Sequence, residues 1–301
     1  MGNFIKVFDT DAQYQSYIGG TNTILPNASY VRETNECYFK PYVPPIYLCD
    51  IAYWDGSRVK TVSQDKWNTS LGTPVGVVVI PEGMLPDGRA RIIGLKSDVS
   101  KTWGPISTDT TLTNYTQVPT TDNAGSTSTG SAEYAYLPSD KFTGTVSYVD
   151  PGTQYSGTSR TMIPSPYITR DGKNEFNPEY SKEISGNNCL SDFNGLANTE
   201  YLQGLGSDYQ AAQYCWSYSD GASNLQWYLP AAGELGFLVP RFNAINAAIT
   251  AVGGSSVASS GFWSSSEYSS SNAYRVATSN GYVYHNGKYY DSSVRPFAVL
   301  P

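Results

Sequence analysis

The 301-residue chain carries 19 Lys and Arg against 26 Asp and Glu, a formal net charge of −7, and one histidine, His285. That acidic balance excludes a nucleic-acid binder, which needs a basic face, and one imidazole excludes His-rich zinc or iron sites. The aromatic share of 14% against 15% charged residues is unlike a disordered chain and predicts a globular, β-rich protein. The length suits two domains, or one large domain with insertions.

The first elements along the chain have the pattern of β structure. Residues 1–45 are rich in Tyr, Asn and Pro and predict a small N-terminal β or extended module. An Asp-Gly pair at positions 55–56 stands between the strand-like runs 46–54 and 57–62. Asp-Gly between two such runs is a strong short-range signal, so we expect a hairpin there.

Two further strands and a long polar insertion come next. Residues 75–80 are a continuous apolar run typical of a buried strand, and residues 89–95 predict its partner. The chain then changes character over about 106–185, with polar low-complexity tracts at 108–111 and 126–131. Such tracts lack the apolar residues of a core and predict an inserted loop region over the surface.

The helical part follows the insertion. Residues 196–202 predict a first short helix, and a turn at position 208 leads into a second segment that carries residues 211–215. Pro230 suits the start of a longer helix, since the first helical position has no intrahelical amide partner, and the glycines at 253–254 suit its end. Its apolar face recurs at helical spacing, at Phe242, Ile245, Ala248, Ile249 and Val252.

After position 260 the pattern returns to β structure. Residues 274–278 and 282–284 predict strands, Asn-Gly pairs at 280–281 and 286–287 predict turns, and residues 294–300 close the domain. Two helices packed on a hairpin-rich antiparallel sheet are expected, which defines the α+β fold class.

The cysteines and the N-terminus bear on the cellular compartment. Cys37, Cys49, Cys189 and Cys215 show no CxxC spacing, which disfavours metal binding by cysteine. No Sec signal is visible at the N-terminus, and no apolar run is long enough to span a bilayer. Buried free thiols are therefore favoured over disulfides.

The sequence offers little for catalysis. It has no Gly-x-Ser-x-Gly elbow, no phosphate-binding GxxxxGK[ST] loop, and no partner for His285 that spacing identifies. Residues 9–11, Asp-Thr-Asp, lack the remaining ligands of a calcium loop. We expect no enzyme, no cofactor and no metal site, although a carboxylate pair acting on glycans is left open.

The C-terminal segment has the composition of a contact surface. Between positions 261 and 293 it holds six tyrosines among Ser, Asn and Gly, as antibody binding loops do. Tyrosine gives large amphipathic contact area with few torsions to freeze, so we favour a binding surface. The alternative is that these tyrosines line an ordinary β-sheet, where their propensity is high.

Three ordered motifs carry a family resemblance: WYLPAAGEL at 227–235, FWSSSEY at 262–268 and VRPF at 294–297. They resemble C-type-lectin-like domains of the formylglycine-generating-enzyme type. More closely, they are similar to the variable proteins that diversity-generating retroelements diversify in gut bacteria and their phages. The resemblance implies a C-type-lectin-like domain over 46–301, with a variable ligand-binding region at about 262–297.

In that family, reverse transcription misreads template adenines and randomises chosen codons, typically AAC. Lys288 is not reachable from AAC and is expected to be fixed, while Val276 and Val283 are expected to point inward as scaffold. The implied ligand-binding positions are of types reachable from AAC: Tyr274, Arg275, Ala277, Thr278, Tyr282, Tyr284, His285, Asn286, Gly287, Tyr289, Tyr290, Asp291, Ser292 and Ser293.

Roles within that set follow from side-chain chemistry. Aromatic side chains carry most interface energy, so the expected anchors are Tyr274, Tyr282, Tyr284, Tyr289 and Tyr290. Polar specificity is expected from Arg275, His285, Asn286 and Asp291. Scaffold roles are expected for Trp227, Leu229, Pro230, Glu234, Trp263 and Arg295.

The sequence departs from the enzymes and from the calcium-dependent lectins. No cysteine follows Cys215, so the active-site cysteine pair of the oxidase relatives is missing. The Glu-Pro-Asn signature of calcium-dependent sugar binding is also missing.

The expected function is therefore recognition of a bacterial cell-surface protein or glycan. A virion location at a phage tail is favoured over a secreted adhesin at the bacterial surface. We expect no nucleic-acid partner and no membrane insertion, and homo-oligomerisation is left open. The alternatives are a structural tail or fimbrial subunit and a glycan-active surface enzyme.

Overall fold

A computed structural model describes residues 46–106, 188–279 and 281–301, with side chains except at positions 188 and 191. Elsewhere it describes the backbone of seven short strands. The chain divides into two compact units, Met1–Pro45 and Ile46–Pro301. In the first unit, β1 (Ile5–Val7), β2 (Ala28–Val31) and β3 (Glu36–Phe39) form an antiparallel sheet with β3 in the centre.

The second unit is α+β, and its described elements form two large sheets, a separate two-stranded antiparallel sheet of β11 and β12, and four α-helices. In chain order they are β4 (Ile51–Trp54), β5 (Val59–Val62), β6 (Thr73–Ile80), β7 (Arg91–Gly94), β8 (Val99–Thr102), β9 (Tyr134–Tyr136), β10 (Arg160–Met162), β11 (Tyr167–Arg170), β12 (Lys173–Phe176), α1 (Gly195–Leu205), α2 (Gln210–Trp216), β13 (Trp227–Tyr228), α3 (Ala232–Gly236), α4 (Phe242–Ala251), β14 (Gly261–Glu267), β15 (Asn272–Ala277), β16 (Tyr282–Gly287), β17 (Asp291–Val294) and β18 (Phe297–Val299).

The first sheet is antiparallel, with strand order β13-β18-β7-β6-β4-β5. The β6 residues 75–80 are fully buried, and β6 pairs with β7, as the apolar run predicted. The β4–β5 hairpin also forms as predicted. Its turn is fixed by Asp55, whose Oδ1 accepts the backbone N–H of Ser57 at 2.8 Å and of Arg58 at 2.9 Å.

The second sheet has strand order β10-β9-β16-β15-β14-β17-β8. Its neighbours are antiparallel except β9–β10 and β14–β17, which are parallel. Strands β9 to β12 correct the expectation that the insertion is all loop, because β9 pairs with β16 of the C-terminal hairpin. The polar tracts at 108–111 and 126–131 lie outside the described residues.

The helices differ in one respect from the prediction. A helix starting near Pro230 was expected to continue to Val252, but α3 and α4 are separate, with a 3-10 turn at Val239–Arg241 between them. Pro240 lies in that turn, and a proline inside a helix removes an amide donor and clashes with the preceding turn. The apolar face of α4 is buried as predicted, and Gly253 follows it with φ +78°.

The two predicted Asn-Gly turns have different outcomes. Asn286 and Gly287 were expected to form a turn, but they are the last residues of β16, and the turn begins at Lys288. In the other pair, Asn280 lies outside the described residues. Gly281 has φ +77°, a left-handed conformation that favours glycine.

The hydrophobic core joins both sheets to the helices. Its largest cluster combines Val77 and Ile93 of the first sheet, Phe262 and Val276 of the second, and the apolar face of α4. A second cluster packs α1 and α2 against the opposite face of the second sheet, around Trp263. The central strands β14 and β15 are therefore covered on both faces over part of their length.

Candidate binding surface

The serines of the FWSSSEY motif lie in a bulged, buried stretch of β14. Ser264 Oγ donates to the carbonyl of Tyr274 at 2.9 Å, and Ser265 Oγ accepts from Asn198 Nδ2 at 3.1 Å. Ser266 Oγ donates to Asp192 Oδ2 at 2.6 Å and accepts the backbone N–H of Ala232 at 3.0 Å. The three hydroxyls therefore satisfy polar groups that are buried with them.

Asp192 is the centre of this buried network. Besides Ser266, its carboxylate accepts Asn198 Nδ2 at 3.0 Å and the backbone N–H of Asn194 at 3.0 Å. Burial raises the pKa of Asp192 to about 6, although the hydrogen bonds it accepts act in the opposite direction.

The WYLPAAGEL motif builds a second buried network around Glu234. Its carboxylate accepts Tyr228 Oη at 2.8 Å, the backbone N–H of Ala231 at 2.9 Å, and Arg91 Nε at 3.2 Å. Burial raises the pKa of Glu234 while Arg91 opposes that rise. Gly233 in the same motif has no room for a side chain, since a Cβ there would lie 2.5 Å from the carbonyl of Leu190.

The VRPF motif holds the C-terminal segment against the rest of the domain through hydrogen bonds of Arg295. Its guanidinium donates to the carbonyl of Gly94 at 2.8 Å, to the carbonyl of Ser255 at 2.5 Å, and to Asp98 at 3.0 Å. All six predicted scaffold residues are buried, which confirms their structural role. Val276 and Val283 are also buried, as expected.

Five residues of the predicted binding set are buried instead of lying at the surface: Tyr274, Ala277, Thr278, Gly287 and Ser292. Tyr274 belongs to the hydrophobic core, and the hydroxyls of Thr278 and Ser292 donate to backbone carbonyls at 2.7 Å and 2.5 Å. Burial removes these side chains from contact with any ligand at the surface. We correct the predicted set accordingly and call these five the inner set.

The other nine predicted residues are half-buried or exposed, and we call them the outer set: Arg275, Tyr282, Tyr284, His285, Asn286, Tyr289, Tyr290, Asp291 and Ser293. Tyr289 and Tyr290 are 54% and 48% exposed. The outer set lies on β15, β16, β17 and the turn between β16 and β17.

Successive residues of a strand point to opposite faces, so the outer set divides between two faces of the sheet. On one face, His285 stacks on Tyr268 with ring centroids 3.8 Å apart and planes 5° apart. Tyr274 packs edge-on against Tyr268 at 5.5 Å. Tyr268 is one of the six tyrosines of the C-terminal segment but was not in the predicted binding set, although its position in the FWSSSEY motif was an available signal.

On the opposite face, Trp263, Arg275 and Tyr284 are register partners across β14, β15 and β16. The Arg275 guanidinium lies 5.3 Å from the ring of Trp263 and 5.2 Å from the ring of Tyr284. These distances allow favourable cation–π contact with both rings. Burial lowers the pKa of Arg275, and Tyr284 opposes that shift.

The turn after β16 is anchored by Lys288. Its side chain is fully buried, where Nζ donates to the Glu267 carboxylate and to the carbonyl of Ser270 at 3.0 Å. The ammonium also lies 4.9 Å from the ring of Trp103. Lys288 was expected to be invariant because adenine changes cannot produce it, and this buried ion pair gives a physical reason for keeping it.

The next two residues reach the surface. The Tyr289 and Tyr290 rings contact each other with centroids 4.1 Å apart. Both rings also pack against Gly287, where a Cβ would lie 2.7 Å from Tyr289 and 3.2 Å from Tyr290. The turn therefore presents a paired aromatic surface on a buried ionic anchor.

Neither a metal site nor a membrane span is found in the described part of the chain. Its residues contain no group of three or more His, Cys, Asp and Glu side chains arranged to hold an ion. None of its helices is long and apolar enough to cross a membrane. Cys215 is a fully buried thiol whose pKa is raised by burial, and the side chain of Cys37 lies outside the described residues.

Comparison with known proteins gives one distant likeness. No family model matches the chain, and no curated protein sequence matches it. The fold is similar to the crystal structure of a fimbrial protein from Bacteroides ovatus ATCC 8483, with a TM-score of 0.46 and 16% sequence identity. The match covers 87% of this chain and 50% of that one, so the chain spans about half of that protein. A likeness this distant carries no information on ligand or activity.

Proposed function

We propose that residues 46–301 form a non-enzymatic binding domain of C-type-lectin-like fold, whose outer set recognises a protein or glycan on a bacterial cell surface. The observation that carries the proposal is the pair Tyr289 and Tyr290, about half exposed and in mutual contact, held by the buried Lys288–Glu267 ion pair. Exposed aromatic residues on a fixed support present contact area at low entropic cost.

The alternation of inner and outer residues supports diversification of this surface by a retroelement. Substitution at the outer positions would leave core packing intact, whereas Val276, Val283 and Lys288 are buried, so substitution there would disturb the core. Sequencing the DNA beside the gene tests this part of the proposal. A near-copy of the 3′ end, differing at adenines within codons 274–293, is expected; a copy with unbiased differences contradicts it.

The location that suits this function is a phage tail tip or the bacterial surface. The test of binding uses the fluorescently labelled chain and intact cells of a panel of gut bacteria, measured by flow cytometry. We expect the chain to label a subset of the panel. Labelling by Tyr289→Ala/Tyr290→Ala is expected to be about 30-fold weaker, because two central aromatic anchors are removed.

A matched control separates this effect from a general loss of aromatic surface. Tyr47 is 45% exposed on a different part of the domain, so Tyr47→Ala removes a similar area. We expect Tyr47→Ala to label cells like the unaltered chain. Equal labelling by all three proteins contradicts the proposed surface. Self-association that the double variant abolishes, without labelling of any cell, identifies a structural subunit instead.

A further inference from the structure

Arg275 is a half-buried cation without an anionic partner among the described residues. The described contacts of its guanidinium are the two aromatic rings and one long hydrogen bond, from Nη2 to the carbonyl of Gly261 at 3.4 Å. Its Nε is buried and has no hydrogen-bond partner. The two buried arginines among the described residues are paired: Arg91 with Glu234 and Asp87, and Arg295 with Asp98.

Arg275 is half-buried, and its Nε is a buried nitrogen without a hydrogen-bond partner. An anion that reaches the guanidinium would therefore meet its other end, Nη1 and Nη2. The Tyr284 hydroxyl lies beside this end, because Nη2 and Tyr284 Oη lie 2.6 and 2.7 Å from the position that a Cβ of Gly261 would take. Gly261, which has no side chain, therefore leaves room for both the Arg275 guanidinium and the Tyr284 hydroxyl.

A carboxylate matches these donors. Its two oxygens accept two parallel N–H bonds from a guanidinium, and a neighbouring hydroxyl adds a third. Burial of a charge without a partner is unfavourable, and binding an anion would relieve that cost. The net charge of −7 means that such an anion is held by this local group and not attracted by the protein as a whole.

Residues on the same face favour a sugar as the carrier of the carboxylate. Tyr282, Tyr284 and Asn286 follow one another at alternate positions of β16 and are all half-buried, so they share a face at a spacing of about 7 Å. The ring faces of the two tyrosines are apolar, and all three side chains end in hydrogen-bonding groups. A sugar ring has the same combination of C–H faces and hydroxyls.

We infer that Arg275 and Tyr284, packed next to Gly261, bind the carboxylate of an acidic sugar. This inference rests on the proposed function, since it names the class of ligand that the same surface binds. The test is saturation-transfer NMR on the full chain with N-acetylneuraminic acid and D-glucuronic acid. Methyl glucoside is the neutral comparator, and the acetylated peptide Gly-Glu-Gly amide is the acidic comparator without a sugar.

We expect both acidic sugars to bind and methyl glucoside not to bind. Arg275→Gln is expected to weaken acidic-sugar binding about tenfold or more, Arg275→Lys less, and Tyr284→Phe several-fold, since it removes one hydroxyl. Tyr284→Phe keeps the ring beside the guanidinium, so it stays informative if Arg275→Gln does not fold. Equal binding of the neutral sugar, unchanged binding by the variants, binding of the peptide alone, or no binding overturns the inference.

Cell labelling distinguishes failure of this inference from failure of the proposed function. If acidic sugars do not bind but the chain still labels cells through Tyr289 and Tyr290, the inference fails and the proposed function stands. If the chain labels no cells while Arg275 binds acidic sugars, the cell-recognition proposal fails and the anion site stands.

Discussion

The inner and outer sets occupy the same strands but have different physical roles. Tyr274 is 3% exposed and packs within the core, whereas Tyr290, in the turn after β16, is 48% exposed and contacts its neighbour Tyr289. Both are tyrosines in one sequence segment of uniform composition. The difference shows that composition identifies a contact segment, while strand pairing and the covering helices decide which of its residues a ligand can reach.

The same contrast separates charged groups. Lys288 and Glu267 form a buried ion pair that holds the turn, while Arg275 is half-buried with no carboxylate partner among the described residues. A satisfied buried charge serves the fold, and an unsatisfied one near the surface is available to a ligand. Substitution of Lys288 or Glu267 should therefore reduce stability more than binding. Substitution of Arg275 should reduce binding more than stability.

The largest stability loss is expected on breaking the buried ion pair. Lys288→Met leaves the Glu267 carboxylate buried without its cation, which should lower the free energy of unfolding by about 4 kcal/mol. Urea denaturation measures it. The double variant Lys288→Met/Glu267→Leu removes both charges and should recover more than half of the loss. A single variant within about 1 kcal/mol of the unaltered chain contradicts the anchoring role.

Next in size is the contrast between the two tyrosines. Tyr274→Ala should lower the free energy of unfolding by about 3 kcal/mol, because it empties a core position. Tyr290→Ala should change it by less than about 0.5 kcal/mol, as an exposed substitution does. Chemical denaturation of both variants measures the difference. Similar losses in the two variants would place Tyr290 in the core or Tyr274 outside it.

The pH dependence of stability tests the buried hydrogen-bond network around Asp192. Burial raises the pKa of Asp192 from 3.8 to about 6, so the folded state keeps a proton that the unfolded state loses. Its contribution is complete below pH 4 and is lost as the pH rises through 6. Asp192→Asn cannot ionise, so its fall in unfolding free energy from pH 4 to pH 7 should be smaller by up to about 3 kcal/mol. Identical falls in both proteins contradict the shift.

A small stability effect is also expected at Gly287. A Cβ there would meet atoms of Tyr289 and Tyr290, which are exposed side chains able to move aside. Gly287→Ala should therefore change the free energy of unfolding by less than about 1 kcal/mol while weakening cell labelling, because the aromatic pair is displaced. Unchanged labelling would show that the position of the pair is unimportant for recognition.

Local signals in the sequence predicted much of the fold. The apolar run at 75–80, the Asp55 turn and the helical face of α4 each depend on neighbouring residues, and each forms as expected. The inward positions of Val276 and Val283 were also predicted. These features follow from side-chain period and turn chemistry, which a single sequence contains.

The sequence could not determine which tyrosines are accessible. Alternation along a strand predicts two faces, but on this sheet one face packs on α3 and α4 and the other on α1 and α2. Which residues of each face remain uncovered by the helices depends on long-range packing. The pairing of β9 with β16 and the contact between His285 and Tyr268 are likewise long-range or tertiary, with no local signal.

The central claim is that strands β15 to β17 separate an accessible surface that tolerates substitution from buried positions that the fold requires. The most direct test compares two displayed libraries. One randomises five outer positions, Tyr282, Tyr284, Asn286, Tyr289 and Tyr290; the other randomises five buried ones, Tyr274, Val276, Ala277, Val283 and Ser292. The measurement is the fraction of each library that resists proteolysis. We predict that most outer-library members stay resistant and most inner-library members are cleaved. Equal loss of resistance in the two libraries would contradict the account.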